Sequence, residues 1–384
     1  MNNVPAYDLA PAAVIVLFGA LLAMVPFLWV WRRERSAGTS GRLRALTVLT
    51  LFLTFDLVLF GAFTRLTDSG LGCPDWPGCY GSASPLGAGS AIASAQSALP
   101  SGPVTPGKAW IEMTHRYLAT GVGALITLGV VLSVVASWRR RSGVSPWWAV
   151  ATLGWVCLQG AFGALTVTMK LYPAIVTVHL LGGIGLLVLL AVQVEVLRPA
   201  PLPMPRALHV ATWGLALLCL VQVALGGWVS TNYAVLACSE FPTCQGEWWP
   251  SMDFDHGFTL LRELGAGKDG GYLPFAALTA IHYTHRLMAY AVLAALVLLA
   301  WRFQATGSAV LKRWALAFIG VASWQLASGL GNVLLGWPLL AAVAHTGGAA
   351  ALMTLLAMLL TRARHSPVPA LARAARMGGM RPAP

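Results

Sequence analysis

One short segment combines an acid, an imidazole and a guanidinium at the start of an apolar run. Glu112, His115 and Arg116 stand at its head, and the run ends near Trp138. Residues three apart share one face of a helix, so Glu112 and His115 would point the same way. Ionisable side chains are costly inside a membrane segment and by default predict a functional site. The alternative is a polar pair that only joins two helices.

Nearly the same segment occurs again around His285, in the second part of the chain. Two further histidines, His179 and His345, have almost the same separation as His115 and His285, and each lies in a later apolar run. Paired imidazoles at similar depth on facing helices are what a haem needs for axial ligation inside a bundle. A single one would more often be a satisfied core histidine, but the duplication of both pairs favours ligands. His285 is expected to lie a few residues deeper than the others.

The elements that carry these residues are transmembrane helices. The chain has 384 residues, 57% hydrophobic and 10% charged, which excludes an ordinary water-soluble domain. Hydropathy predicts nine spans, near 11–31, 45–65, 110–138, 147–168, 174–197, 207–230, 276–301, 314–334 and 341–361.

The net charge of +12 follows the connections between these spans. Alternating spans put the following basic residues on one side: Arg32, Arg33, Arg35, Arg42, Arg44, Arg139, Arg140, Arg141, Arg198, Arg206, Arg302, Lys312, Arg313, Arg362, Arg364, Arg373, Arg376 and Arg381. This is the positive-inside pattern, and it argues against a nucleic-acid partner. It predicts a multi-pass protein of the cell inner membrane with its N-terminus periplasmic and its C-terminus cytoplasmic. The first span reads as a retained helix, not a cleaved signal peptide.

The chain repeats itself after the first span. Cys73 and Cys238 have the same separation as Cys79 and Cys244, and the matched histidines nearly share it. The repeat predicts an all-α integral membrane fold: two tandem four-helix bundles related by a pseudo-two-fold axis, plus one extra N-terminal helix. The predicted units are 1–44 (extra helix and basic loop), 45–197 (first bundle), 207–361 (second bundle) and 362–384 (basic tail).

The cysteine pairs lie in the two long outer loops. An extracytoplasmic loop is oxidising, so Cys73 with Cys79 and Cys238 with Cys244 are predicted to form disulfides. They would be structural or redox-cycling. A zinc site is the alternative, although the spacing is unusual for one. Cys157 and Cys219 are predicted to be packing residues. The Ser/Ala/Gly-rich run 81–107 is expected to be flexible, and the segment around Trp248 to form a short amphipathic helix.

The repeat differs at one informative position, where the first half has Glu112 and the second has His282. Proton-transfer chemistry needs an acid or base, whereas an electron-transfer haem does not. The first bundle is therefore predicted to be the reaction site and the second the electron store. Arg116 and Arg286 would contact haem propionates or, alternatively, extend to the lipid headgroups. No role is assigned to Asp56 or His282.

These residues resemble the haem A synthase family of cytochrome oxidase assembly. The resemblance covers about 45–361 and rests on the segment 64–71 leading into Cys73, on Glu112-x-x-His115-Arg116, and on the other three histidines. The first helix departs from the family's common eight-helix core. The resemblance implies oxidation of the C8 methyl group of haem O to the formyl group of haem A.

The resemblance also implies roles for the residues. His115 and His179 would flank the substrate haem, with Glu112 as the catalytic acid or base, and His285 and His345 would hold a permanent haem b. Haem O would reach the first site through the membrane lipid. A haem O synthase would be a transient partner. A homo-oligomer is compatible with the sequence, whereas the electron donor and the oxygen source are open.

Two other functions fit the same residues. One is a di-haem b membrane cytochrome that carries electrons from quinol and does not need Glu112. The other is a non-catalytic haem transport or assembly protein.

Overall fold

The computed structural model describes residues 9–139, 145–197, 199–268 and 270–365. Its helices there are α1 (Ala10–Arg33), α2 (Gly38–Leu66), α3 (Gly89–Ala98), α4 (Pro106–Trp138), α5 (Trp147–Thr168), α6 (Pro173–Leu197), α7 (Arg206–Thr231), α8 (Phe254–Gly257), α9 (Phe275–Ala305), α10 (Ala309–Leu334) and α11 (Leu339–Arg362). Residues 1–8, Arg140, Arg141, Arg198 and the tail from 366 to 384, all part of the predictions above, lie outside the described residues.

The membrane-spanning character of the chain is confirmed. In the described ranges, every helix except α3 and α8 is long and apolar enough to cross a bilayer, which makes nine candidate spans. They coincide with the nine predicted from hydropathy, and most extend a few residues further at one or both ends. The chain is therefore an all-helical, multi-pass membrane protein.

The helices of each half contact one another closely. In the first half α2 contacts α4 and α6, and α5 contacts the same two helices. In the second half α9 contacts α7 and α10, and α11 contacts the same two. The two halves meet at α6 and α11, which contact each other. In addition, α6 contacts α7, and α11 contacts α2. That a pseudo-two-fold axis relates them stays a prediction.

The start of α4 sets the depth of the first site. Pro106 occupies the first turn, where its missing N–H costs nothing, and the Thr105 hydroxyl accepts a hydrogen bond from the Lys108 amide at 3.3 Å. The helix therefore begins four residues before the predicted span, and His115 is its tenth residue. His285 is the eleventh residue of α9. Counted from the helix starts, His285 therefore lies only one residue further in than His115, because α4 begins earlier than predicted, but four residues further in than His179 and His345.

The additional helix α1 packs tightly against α4. A Cβ atom at Gly19 would lie 2.6 Å from Cβ of Thr120 and 2.9 Å from the Gly121 amide nitrogen. Only glycine allows this approach of the two backbones. Near the outer end of α1, Ile15 is buried in one cluster with Cys73 and Cys79. The first helix thus covers the loop that contains Cys73 and Cys79, which we call the first disulfide loop; the loop with Cys238 and Cys244 is the second.

Two expectations about the outer loops are wrong. The run 81–107 contains α3, whose Ile92 is 2% exposed and packs in the cluster of the first disulfide loop. The segment Gly89–Ala98 is rich in alanine, the strongest helix former, which outweighs its serines. Around Trp248 there is no helix, and the nearest one, α8, has only four residues.

A short parallel β-pair joins the linker between α6 and α7 to the segment that follows α11. β1 (Leu202–Met204) precedes α7 and β2 (Ala363–His365) follows α11, with Leu202 paired to Ala363. Arg362 adds a hydrogen bond from Nε to the Ala200 carbonyl at 3.1 Å. This pair ties the end of α11 to the linker between the halves.

Candidate functional site

Each predicted ligand histidine packs against a glycine of a neighbouring helix. A Cβ atom added to that glycine would lie close to Cε1 of the imidazole, at 3.0 Å for Gly61 and His115, 3.3 Å for Gly163 and His179, 2.9 Å for Gly226 and His285, and 3.3 Å for Gly329 and His345. A methyl group at these distances would displace the ring or the helix. Four glycines therefore set the position of four histidines.

These glycines were not predicted from the sequence, yet the repeat marks them. Gly61 and Gly226 have the same separation as the matched cysteines, and Gly163 and Gly329 have that of His179 and His345. In the structure, Gly182 and Gly348 accommodate the side chains of Gln159 and Gln325.

The second-half pair has the spacing of axial haem ligands. The ring centroids of His285 and His345 are 6.5 Å apart and their planes make an angle of 82°. An iron about 2 Å from each ligating nitrogen, which lies about 1 Å from its ring centroid, puts the two centroids about 6 Å apart. The two imidazoles thus fit a single iron between them.

The first-half pair is also brought together. The rings of His115 and His179 are close enough to interact electrostatically, although they come from different helices. The Phe60 ring lies parallel to the His115 ring, with centroids 6.2 Å apart and an interplanar angle of 7°. The two histidines of the first half therefore lie near each other.

Most of these histidines have a ring nitrogen without a hydrogen-bond partner. Nδ1 of His115, His179 and His285 is buried without a hydrogen-bond partner among the described residues, whereas Nδ1 of His345 lies 2.9 Å from the Ser328 hydroxyl. Burying an unpaired polar nitrogen is unfavourable in a protein on its own. Such uncommitted imidazole nitrogens fit a bound iron.

Glutamine side chains hold two of these helices at the level of the histidines. Gln159 Nε2 donates to the backbone carbonyl of His179 at 2.8 Å, and Gln222 Nε2 donates to that of His285 at 3.1 Å. Each bond joins the histidine's helix to its neighbour at the ligand itself. Gln159 also has a repeat counterpart, Gln325, at the same separation as His179 and His345.

Glu112 is buried directly beneath the first disulfide loop. Its Oε2 accepts a hydrogen bond from the Cys73 amide at 2.8 Å, and its Oε1 is 2.5 Å from Nη2 of Arg116. Only 4% of Glu112 is exposed, so both contacts are shielded from solvent. The carboxylate is therefore held by a cation and an amide, one helical turn from His115.

The two arginines hold the disulfide loops. Nη1 of Arg116 donates to the carbonyls of Asp75, Pro77 and Gly78. Arg286 donates in the same way to three carbonyls of the second loop, those of Glu240, Pro242 and Thr243. The predicted contact of these two residues with haem propionates stays a prediction.

The predicted cysteine pairs are at disulfide distance. S–S is 2.09 Å for Cys73 and Cys79 and 2.01 Å for Cys238 and Cys244, and all four residues are fully buried. The predicted pairing is therefore confirmed, whereas a redox role for either pair stays a prediction.

In each disulfide loop a carboxylate organises the turn that follows. Asp75 accepts hydrogen bonds from the Tyr80 and Gly81 amides. Glu240, its counterpart in the repeat, accepts from the Gly246 amide and the Thr243 hydroxyl, and these bonds lower its pKa.

His282 has a structural place beside the second loop. It occupies the position of Glu112 in the repeat, and its Nε2 lies 3.5 Å from Nη2 of Arg286. Its Nδ1 lies 3.0 Å from the Ala234 carbonyl. The second half therefore keeps the contact with arginine but replaces the acid with an imidazole.

Three predicted or unexplained residues lie apart from these sites. Cys219 is buried, whereas Cys157 is exposed, so the packing role predicted for Cys157 is wrong. Asp56 lies on an exposed side of α2, and nothing in the structure explains it.

Comparison with known proteins identifies the family. The family model of the cytochrome oxidase assembly protein COX15-CtaA matches residues 44–357, which leaves out α1. Heme A synthase of Shewanella oneidensis is 38% identical over 315 residues, covering 80% of this chain and 92% of that protein. Heme A synthase of Methylobacterium nodulans is 29% identical over 84% of this chain and 90% of its own length. Heme A synthase of Caulobacter vibrioides is 29% identical, covering 81% of this chain and 93% of that protein. This chain therefore belongs to the COX15-CtaA family of cytochrome oxidase assembly proteins.

Proposed function

We propose that this protein is a haem A synthase, a haem-dependent membrane oxidoreductase that oxidises the C8 methyl group of haem O to the formyl group of haem A. The observation that carries the proposal is the pair of matched histidine sites, of which only the first has a carboxylate, Glu112. Membership of the family and the names of the relatives support it.

The first half is the reaction site in this proposal. His115 and His179 flank the substrate haem, and Gly61 and Gly163 keep their rings in place. Glu112, one turn from His115, accepts and returns a proton or offsets positive charge that develops on the substrate. Its contacts with Arg116 and the Cys73 amide fix its orientation, which keeps the distance to the substrate constant.

The second half holds a permanent haem b between His285 and His345. When bound, this haem supplies one-electron redox chemistry. The protein positions it through Gly226, Gly329 and the Ser328 hydroxyl at His345 Nδ1. His282 stands where the first half has its acid, so this site lacks the carboxylate that proton transfer would use.

The orientation of the protein follows from its charges. Among the described residues, Arg32, Arg33, Arg139, Arg302 and Arg362 lie at the helix ends opposite to the two disulfide loops. This distribution supports periplasmic loops and a cytoplasmic C-terminus in the inner membrane. The apolar tail of haem O favours its arrival through the lipid, delivered by a haem O synthase.

Analysis of the bound porphyrins tests the function. The purified protein should contain haem b together with haem O or haem A. Replacing His285 or His345 by alanine should remove haem b, whereas replacing His115 or His179 should remove only haem O and haem A. Haem b alone in both halves would identify a membrane cytochrome, and haem O bound without any conversion to haem A would identify a carrier.

A further inference from the structure

The inner half of the first four-helix group contains an unusual set of buried polar side chains. They lie on α2, α4, α5 and α6, away from the disulfide loops, and all are less than 9% exposed: Thr47, Thr50, Thr54, Ser133, Thr152 and Gln193. Buried polar groups in a membrane protein are unfavourable unless they are hydrogen-bonded or line a water-filled space.

Two adjoining cavities lie among these side chains. The deeper one, of about 20 Å³, is lined by Thr47, Thr50, Thr152 and Gln193 and by six apolar or glycine residues. The other, of about 10 Å³, is lined by Ser133, Gln193 and Ser145 and by five apolar residues, and Ser145 precedes α5 at the inner membrane boundary. Gln193 borders both. A space of about 10–15 Å³ with two or more polar partners is enough for a water molecule.

The polar side chains of the lining can bond a water molecule. Thr50 and Thr152 donate their hydroxyl hydrogens to the carbonyls of Leu46 and Trp148, each at 2.8 Å. Their oxygens can still accept a hydrogen bond from a molecule in the cavity. The Thr152 hydroxyl is 3.5 Å from Oε1 of Gln193, so this amide belongs to the same polar surface.

The second half has large apolar side chains at four of the corresponding positions, although Thr47 corresponds to Thr212, which is also buried. At the offsets of the repeat, Ser133 corresponds to Phe303, Thr152 to Phe318, Gln193 to Leu359 and Thr50 to Leu215. All four counterparts are at most 4% exposed and belong to the main apolar cluster. The rings of Phe303 and Phe318 pack with centroids 6.1 Å apart. The second half is therefore filled where the first is polar and hollow.

We propose that the inner end of the first half is a water-filled inlet, lined by Thr47, Thr50, Ser133, Thr152 and Gln193, that the second half lacks. Its role rests on the proposed function: oxidation of a methyl group takes up protons when O2 is the oxidant and is reduced to water, and releases them when water supplies the oxygen and the electrons leave to a quinone-type acceptor. In either case the inlet gives these protons a polar route between the site and the inner aqueous phase. Gln159 lies seven residues beyond Thr152 on α5, about 10 Å along the helix, and bonds the backbone of His179.

Cysteine accessibility tests the inlet independently of any haem chemistry. In a background in which Cys157 and Cys219 are replaced by serine, Thr50→Cys is compared with Leu215→Cys at the corresponding position. Membranes are treated with a small, charged, water-soluble methanethiosulfonate, and modification is followed by mass spectrometry. Thr50→Cys should react at least about tenfold faster, because reaction requires a hydrated thiolate.

Thr152→Cys and Phe318→Cys form a second matched pair, which is used if a variant of the first pair does not fold. Retained haem b absorption shows that a variant is folded. Equal reaction rates within both pairs, or no reaction at Thr50→Cys and Thr152→Cys, would overturn the inlet.

A plug variant tests the role of the inlet. Thr152→Phe, which copies the second half, should lower haem A formation at least about tenfold and leave the haem b spectrum unchanged, whereas Thr152→Ser should retain activity. Full activity of Thr152→Phe would refute the proton route. If the porphyrin analysis failed while the thiols still reacted, the proposed function would fall and the inlet would stand.

Discussion

The hydroxyl of Tyr233 donates a hydrogen bond of 2.5 Å to Oδ1 of Asp68, its counterpart in the other half of the chain. Arg65 Nη2 likewise donates to the carbonyl of its own counterpart, Ser230, at 2.7 Å. Equivalent residues touch each other only near an axis that relates their two units. These contacts between the C-terminal ends of α2 and α7 support the pseudo-two-fold axis, which stays a prediction.

Removing the Tyr233 hydroxyl tests this junction. Tyr233→Phe should lower the free energy of unfolding by about 1 kcal/mol, the net worth of one hydrogen bond, because the ring and its stacking on Arg65 remain. Denaturant unfolding in detergent measures the change.

A double-mutant cycle with Asp68→Ala supplies the control for this junction. The two substitutions should be non-additive, since each removes the same bond. Additive losses would show that the bond does not couple the halves.

Neutralising Glu112 tests the reaction site. Glu112→Gln keeps the shape of the side chain and an acceptor for the Cys73 amide, but it removes the charge that faces Arg116. Haem A formation should fall at least about 100-fold, the usual contribution of a positioned acid or base. The measurement is conversion of haem O by the purified protein, with the haem b spectrum recorded in parallel.

The repeat offers a matched control for Glu112. His282→Gln places the same amide at the corresponding position of the second half, beside Arg286. It should reduce conversion far less than Glu112→Gln. Equal losses from the two variants would mean that both residues act only through the disulfide loops they support.

The histidine-facing glycines differ from other glycines on the same helices. Gly163→Ala and Gly329→Ala should displace the imidazoles of His179 and His345, because the new methyl group would lie 3.3 Å from the ring. Each should alter the optical and electron paramagnetic resonance spectra of the haem in its own half. The resonance of a low-spin haem responds to the angle between its two imidazole planes, here 82° in the second half.

Open glycines on the same two helices provide the comparison. Among the described residues, apart from the neighbouring turns of the same helix, no atom lies within 4 Å of a Cβ added to Gly160 on α5 or Gly320 on α10. Gly160→Ala and Gly320→Ala should therefore leave both spectra unchanged. If all four variants gave the parental spectra, the glycines would have no part in orienting the ligands.

Features predicted from the sequence are those encoded locally or by the repeat. Long apolar runs mark spans because the bilayer sets their length, and the four histidines stand out because each is polar within such a run. The contacts of Arg116 with three loop carbonyls were not predicted, since they depend on how a loop distant in sequence folds back. The role of Gly61 or Gly163 likewise depends on which helix lies opposite, although the repeat offset marks both positions.

Acidification should loosen the second disulfide loop through Glu240. The Gly246 amide, and then the Thr243 hydroxyl, hold the pKa of Glu240 below its ordinary value. A depressed pKa means that the stabilisation is fully present above the ordinary pKa, about 4.3, and is lost as the pH falls through the folded-state value. Below about pH 4, a phosphine reductant, which remains active in acid, should therefore reduce the Cys238–Cys244 disulfide faster than at neutral pH. Glu240→Gln lacks this titration, so its reduction rate should show no acid step. An acid step retained in Glu240→Gln would assign the effect to another group.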